Sequence, residues 1–267
     1  MKSTAIFGVI IGFIAVIGAM YFKHIQLSVF LNPAAFFVIF VGSVACILNA
    51  FPGRDLKNLG KLLKIIFTEN KNRSHINKIE LINTIDEISH QARKDGVLSI
   101  ESRINELNDR FLVRGFRMAV DGLDVEQIHE VLSTLIEEIE NRHETNANIF
   151  SQAGTYAPTL GVLGAVFGLI AAMSNINDTS LMAEAVAAAF IATILGIFTG
   201  YVLWNPFANK LRMLTKHEIS EKRMITEGII SMTKGENPFL TRNKMLSFLS
   251  EKEEAYMNKL QEEDEHE

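Results

Sequence analysis

Gly154, Gly161, Gly164 and Gly168 lie in one apolar run, GTYAPTLGVLGAVFGLIAAM, and Gly196 and Gly200 lie in a second, AVAAAFIATILGIFTGYVLWNP. The pairs Gly164/Gly168 and Gly196/Gly200 have the small-xxx-small spacing that lets helix backbones touch in lipid, where apolar burial gives little drive to associate. Ala185, Ala188, Ala192 and Thr199 add small surface to the second run. Pro158 and Pro206 stand near corresponding ends of the two runs, and each removes a backbone donor and can act as a joint. Thr193 places a hydroxyl in the middle of the second run, where it can bond the preceding turn's carbonyl or face a wet path. Thr155 and Thr159 flank Pro158, placed to recapture a freed carbonyl. This set can build tightly packed helices around a route for a small ion, yet it contains no group that carries charge. Asp178, in the connection between the runs, and Glu184, at the outer edge of the second, are the only acids nearby. The same spacing recurs at Gly8 and Gly12 and serves equally well to hold a lone helix bundle together, so it is not specific by itself.

The elements that must position these residues are four apolar stretches, roughly 4–22, 32–51, 150–173 and 181–206. Each is close to the ~20 residues a helix needs to cross ~30 Å of hydrocarbon, and none alternates as a membrane barrel strand does. Lys2 ahead of the first stretch resembles the start of a secretory signal. The run is too long for one and passes through Met20, Tyr21 and Phe22 without a small-residue cleavage site, so it reads as a retained span.

Charge is segregated. Of 26 Lys and Arg, 14 fall between Arg54 and Arg142 and 10 after Pro206, whereas 174–180 has none. Arg54, Lys57, Lys61 and Lys64 after the second span, with Lys210, Arg212 and Lys216 after the fourth, place those ends and both termini in the cytoplasm. The basic residues are interleaved with 31 acidic ones, which gives no single-sign stripe for nucleic acid. Cys46 is alone, so there is no disulfide framework.

Between the second and third spans, Ile76, Ile79, Ile82, Ile85, Ile88 and Ala92 recur at helical spacing, as do Val125, Ile128, Val131 or Leu132, Leu135 or Ile136, and Ile139. A shorter helix is predicted from about Ile100 to Arg110, with Ser99 as its N-cap. Leu211, Leu214, Ile219, Met224 and Ile229 predict a helix that continues from the fourth span, and the acidic end from Gln261 is expected to be a solvated tail. The expectation is an all-α integral membrane protein. Residues 1–51 hold two spans, 52–149 a cytoplasmic helical domain, 150–206 two spans that line a path, and 207–267 a cytoplasmic helix and acidic tail.

The strings QAGTYAPTLGVLGAVFGLIAAM and AAAFIATILGIFTGYVLWNPFANKL resemble the membrane core of the flagellar motor stator family MotA/PomA. The resemblance extends to NPAA at Asn32–Ala35, QARKDGVLSIE at Gln91–Glu101 and MAVDG at Met118–Gly122. It covers nearly the whole chain, in the same order of spans.

The resemblance implies a subunit of the bacterial plasma membrane that couples ion flow to torque. In that family a MotB-like partner with a single span supplies the proton-carrying Asp, and five MotA-like subunits surround two such spans. The third and fourth spans line the inner surface, with Pro158, Ala165, Thr193 and Pro206 on the ion and coupling route. Sodium-driven relatives carry Thr where this chain has Ala165, together with the Thr matching Thr193. A stripped sodium ion needs several oxygen ligands, so the loss of one hydroxyl favours a proton, with a sodium-driven stator as the alternative. Arg93 and Glu101 match the family's contacts with the rotor protein FliG.

The energising subunits ExbB and TolQ are a rival within the same superfamily, but they carry one span ahead of the cytoplasmic block where this chain has two. A channel or transporter acting alone is the reading from another class. An intramembrane charge would favour it, and this chain has none. No P-loop, metal-ligand cluster or nucleophile with its base is present, and His24, His75 and His90 fall in unrelated segments, so neither an enzyme nor a bound cofactor is expected.

Overall fold

The computed structural model describes residues 4–25, 30, 32–68 and 75–264, and among them every regular element is helical. The side chain of Ile76 and residues 265–267 lie outside the described residues. The chain forms two units, Met1–Glu69 with His143–Met213 and Asn70–Arg142 with Leu214–Glu267.

The first unit holds the four apolar helices. Helix α1 runs Thr4–Phe22 and α2 runs Pro33–Ala50. Asn32 caps α2, its Oδ1 accepting from the amides of Ala34 at 3.1 Å and Ala35 at 3.2 Å, with Pro33 in the first turn where no donor is needed. A π-helical turn at Phe37–Val41 interrupts α2. After Pro52 and a short turn, α3 (Leu59–Phe67) buries Leu62 and Ile66 against Ala147, Phe150, Phe207, Ala208 and Leu211.

In the second unit, α4 (His75–Asp95) buries Ile82, Ile85 and Ile88 completely. The helix predicted over 100–110 forms only as a turn, Glu101–Ile104. Asp109 restarts the chain by capping α5 (Arg110–Val120), accepting from Phe111 N at 2.8 Å and Leu112 N at 2.9 Å. Ser99 is no N-cap, since its hydroxyl donates to the Gly96 carbonyl at 2.7 Å. The positive φ of Gly96, 87°, ends α4 just before it.

Two helices are far longer than their spans. Helix α6 runs Val125–Ser174 and α7 runs Thr179–Thr233, so the amphipathic helix at 125–139 and the third span are one element. Asp124 and Gln127 start α6 with a reciprocal capping box, at 2.8 and 3.2 Å. Met224, Ile225 and Ile229 of α7 join Ile128 and Leu132 of α6 and the isoleucines of α4 in one core.

Helices α8 (Pro238–Leu246) and α9 (Glu251–Asp264) complete this unit. The end expected as a solvated tail is therefore helical to Asp264. The reason is the Ser250–Glu253 cap at its start, Ser250 N donating to Glu253 Oε2 at 2.7 Å, and the anchoring of buried Glu253 to buried Lys78 at 3.4 Å.

Candidate ion-path seam and coupling residues

Helices α6 and α7 cross along the predicted glycines. A Cβ on Gly161 would lie 2.8 Å from the Ala192 carbonyl oxygen and 3.0 Å from Gly196 Cα. One on Gly196 would lie 2.6 Å from the Ala157 carbonyl oxygen. Gly168 would meet Ala189 Cβ at 2.8 Å, and Gly164 would meet Ala192 Cβ at 3.2 Å. The Gly161, Gly168 and Gly196 approaches are closer than a Cβ tolerates without a shift, so the two backbones are in direct contact there, while Gly164 is only tight. The small residues are therefore used within one chain, to join its third and fourth spans. Larger side chains on the same helices point outward, with Phe167 at 54% exposed, Phe190 at 67% and Tyr201 at 66%.

Pro158 lies inside α6 without ending it. Its missing donor takes away the usual helical partner of the Gly154 carbonyl, and that oxygen faces Gly200, 2.8 Å from where a Cβ would stand. The flanking threonines do not recapture it. Thr155 Oγ1 donates to Ser151 O at 3.1 Å and Thr159 Oγ1 to Tyr156 O at 2.7 Å, because each hydroxyl reaches only back along its own face of the helix.

Gly200 belongs to a π-helical turn, Thr199–Trp204, in which Asn205 N donates to the Gly200 carbonyl five residues earlier. Pro206 follows this widened turn, exposed, and α7 continues through it. The π register explains why: a widened turn relieves the clash of the proline ring with the preceding carbonyls. The sequence located both prolines but not the π turn between them and the glycine seam.

Thr193 is half-buried, and its Oγ1 donates to Ala189 O at 3.4 Å. Ala165 is also half-buried. Each sits one residue past the Gly164–Ala192 contact, so both border the seam. Pro206 stands apart, six residues or about 9 Å of helix beyond Gly200. Asp178 is consumed as the N-cap of α7, accepting from Ser180 N at 3.0 Å and Leu181 N at 3.1 Å, and Glu184 is exposed. Among the described residues, no three His, Cys, Asp or Glu side chains gather as a metal site requires.

Arg93 and Glu101 belong to the second unit. Both are exposed, flanking the turn Val97–Ile100, and Leu98 between them is 73% exposed. The turn is held by Gln91 Nε2 donating to Ser99 O at 2.8 Å and by an ion pair of Arg103 with Glu87. Missed by sequence reasoning is the pairing beneath α5, where Lys222 Nζ donates to Asp109 Oδ2 at 2.7 Å. Burial pushes the Asp109 carboxyl up, but the Lys222 hydrogen bond and charge and the amides of Leu112 and Phe111 outweigh it and hold it below the usual carboxylate range. The signal in the sequence was an Asp directly before the amphipathic run RFLVRGFRMA.

Residues 103–224 match the family model of the MotA/TolQ/ExbB proton channel family. Motility protein A of Bacillus subtilis is 42% identical over 95% of this chain and 93% of its own. The solved flagellar MotAB stator complex of Bacillus subtilis superposes with a TM-score of 0.86 at 42% identity, over 95% of this chain and 99% of that one. A C. jejuni MotAB structure gives 0.85 at 31% identity, over 94% and 97%. With a glycine seam free of charge and relatives of this likeness over nearly its full length, the chain belongs to the MotA/TolQ/ExbB proton channel family, in its motility protein A branch.

Proposed function

We propose that this chain is a flagellar motor stator subunit that works with a MotB-like partner in the plasma membrane, coupling proton flow to torque on the rotor protein FliG. The observation that carries the reading is the seam itself: two spans in backbone contact, bordered by Ala165 and Thr193, with no Asp, Glu, Lys, Arg or His between Gly154 and Met173 or between Ala185 and Asn205. A proton route through such spans needs a carboxylate from another polypeptide. The solved relatives are complexes of two kinds of subunit, MotA and MotB.

Thr193 suggests how that carboxylate is handled. A hydroxyl has one donor and two acceptor lone pairs, and here the donor is spent on Ala189 O. What remains is an acceptor, which favours a protonated acid over an ionised one. Protonation of the partner's Asp would then raise its preference for the Thr193 border, and release of the proton would lower it. Each charge crossing the membrane yields about 2.3 kcal/mol per 100 mV, enough for a small step of a ring of these subunits around the partner and too little to unfold a domain. The π turn at Thr199–Trp204, between Pro158 and Pro206, is the place where α7 can yield to such a step. Arg93 and Glu101, exposed on a braced turn, suit contacts with a rotor that form and break repeatedly.

Five subunits around a partner dimer, both termini in the cytoplasm, and proton rather than sodium coupling complete the reading. The test is ion flux in vesicles containing this chain with and without a MotB-like partner. Flux is expected only with the partner, and it should persist when sodium is replaced by potassium. Flux from this chain alone would mark a self-sufficient channel.

A further inference from the structure

We propose that the outer face of α3, with the turn ahead of it, is a docking surface for the headgroups of anionic phospholipids, set where the second span leaves the membrane. Span α2 ends at Ala50, and only Phe51 and Pro52 separate it from the turn Gly53–Leu56. Helix α3 then lies with Leu62 and Ile66 buried against Phe150, Phe207 and Leu211, residues at the ends of the third and fourth spans. Its inner face is thus fixed to the spans, at the level where they meet the interface.

The opposite face is basic. Lys61 and Lys64, three residues apart, share one side of α3, Lys57 lies just ahead of that helix, and all three are exposed, as is Arg54. Asp55, 3.5 Å from Arg54, is the one acid between Arg54 and Phe67. Ile65, 44% exposed, stands beside the lysines as an apolar foot. Basic groups with an apolar residue among them, on a helix held against the ends of spans, fit a lipid surface: the lysine stems lie along hydrocarbon and the ammonium groups reach the phosphates. A soluble acidic partner fits less well, because a face at this level is presented to lipid first.

The inference deepens the coupling reading through one contact. The Phe67 ring meets Phe207 edge-on at 5.2 Å, and Phe207 directly follows Pro206. Headgroups that hold α3 in place therefore also steady α7 at the proline.

The test uses the full chain in phosphatidylcholine nanodiscs, with phosphatidylglycerol titrated in, read by thermal unfolding and by native mass spectrometry of retained lipid. Phosphatidylglycerol is expected to raise the unfolding midpoint and to be retained. The triple variant K57Q/K61Q/K64Q should retain it about a hundredfold more weakly while unfolding normally in phosphatidylcholine alone. The variant K234Q, in the other unit, should respond like the parent. An equal phosphatidylglycerol response in the triple variant overturns the proposal, and so does an equal midpoint rise from inorganic phosphate in detergent. Lipid occupies both leaflets in this assay and no ion flux is measured, so failure here leaves the stator reading standing, and failure of that reading leaves this one testable.

Discussion

Gly200 stands against the ring of Pro158, so that a Cβ on the glycine would lie 2.9 Å from both Cγ and Cδ of the proline. The carbonyl that Pro158 strips of its donor, that of Gly154, faces the same glycine. The irregular place in α6 and the π turn of α7 are thus one feature: each helix departs from ideal geometry where it meets the other.

The glycines should therefore differ sharply in their tolerance of alanine. Gly196→Ala and Gly200→Ala each drive a methyl into backbone or a rigid ring, and should cost about 1–3 kcal/mol and lower the unfolding midpoint in detergent. Gly164→Ala meets the Ala192 methyl at 3.2 Å and Val38 Cγ1 at 4.0 Å, both side-chain atoms, and should cost less. Gly8→Ala, with nothing within 4 Å, should be neutral although its spacing is the same. Equal midpoints across the four variants would show that the seam is not in backbone contact.

Thr193 should respond to the loss of its acceptor more than to the loss of its size. Thr193→Ser keeps donor and lone pairs and should retain flux and swimming. Thr193→Val keeps the shape and removes both, so it should fold with a penalty of about 1 kcal/mol or less yet carry far less proton flux with the partner. Wild-type flux in the valine variant would remove the hydroxyl from the route.

The helical class, the four spans and the glycine seam were legible in the sequence because lipid leaves few ways to satisfy a backbone, and small residues then mark where helices touch. The isoleucines of α4 were legible for a similar reason, a helical period that reaches a single core. Helix α5 was not. Its start depends on Asp109, whose side chain both caps the helix and receives Lys222 from 113 residues away, and the second relation has no local signature. The π turns were also hidden, since composition does not mark where the hydrogen-bond register widens; the one in α7 holds Gly200, which packs against Pro158. Thr155 and Thr159 misled because the residue spacing was right while the Gly154 carbonyl pointed to the neighbouring helix.

Arg93 and Glu101 lie on the surface of the second unit, so the reversals Arg93→Glu and Glu101→Lys should change its stability by no more than about 0.5 kcal/mol. Both variants should still assemble with the partner and conduct protons. Torque, measured on tethered cells, should fall steeply in each single variant. Unchanged rotation with both reversals would discard these residues as rotor contacts.

Acid should act on the second unit through Asp109 and Glu221 with opposite signs. The Asp109 carboxyl is held below its ordinary range, so its stabilisation is complete above that range and is lost as pH falls through the lower folded value. Glu221 is raised, chiefly by burial and then by the like charges of Asp109 and Glu218, against the pull of Lys222. It therefore takes up its proton first, and stability should hold or rise slightly as pH approaches the carboxylate range before it falls. Asp109→Asn keeps a capping oxygen but loses the ion pair, and should cost about 1–2 kcal/mol at neutral pH and flatten the acid limb. Asp109→Ala also removes the cap and takes from Lys222, itself 8% exposed, the nearer of its two carboxylates, leaving Glu221 at 4.0 Å, so it should cost about 3 kcal/mol. Unfolding midpoints followed by circular dichroism from neutral to acid pH read both effects, and an acid limb unchanged in Asp109→Asn would assign the loss to other carboxylates.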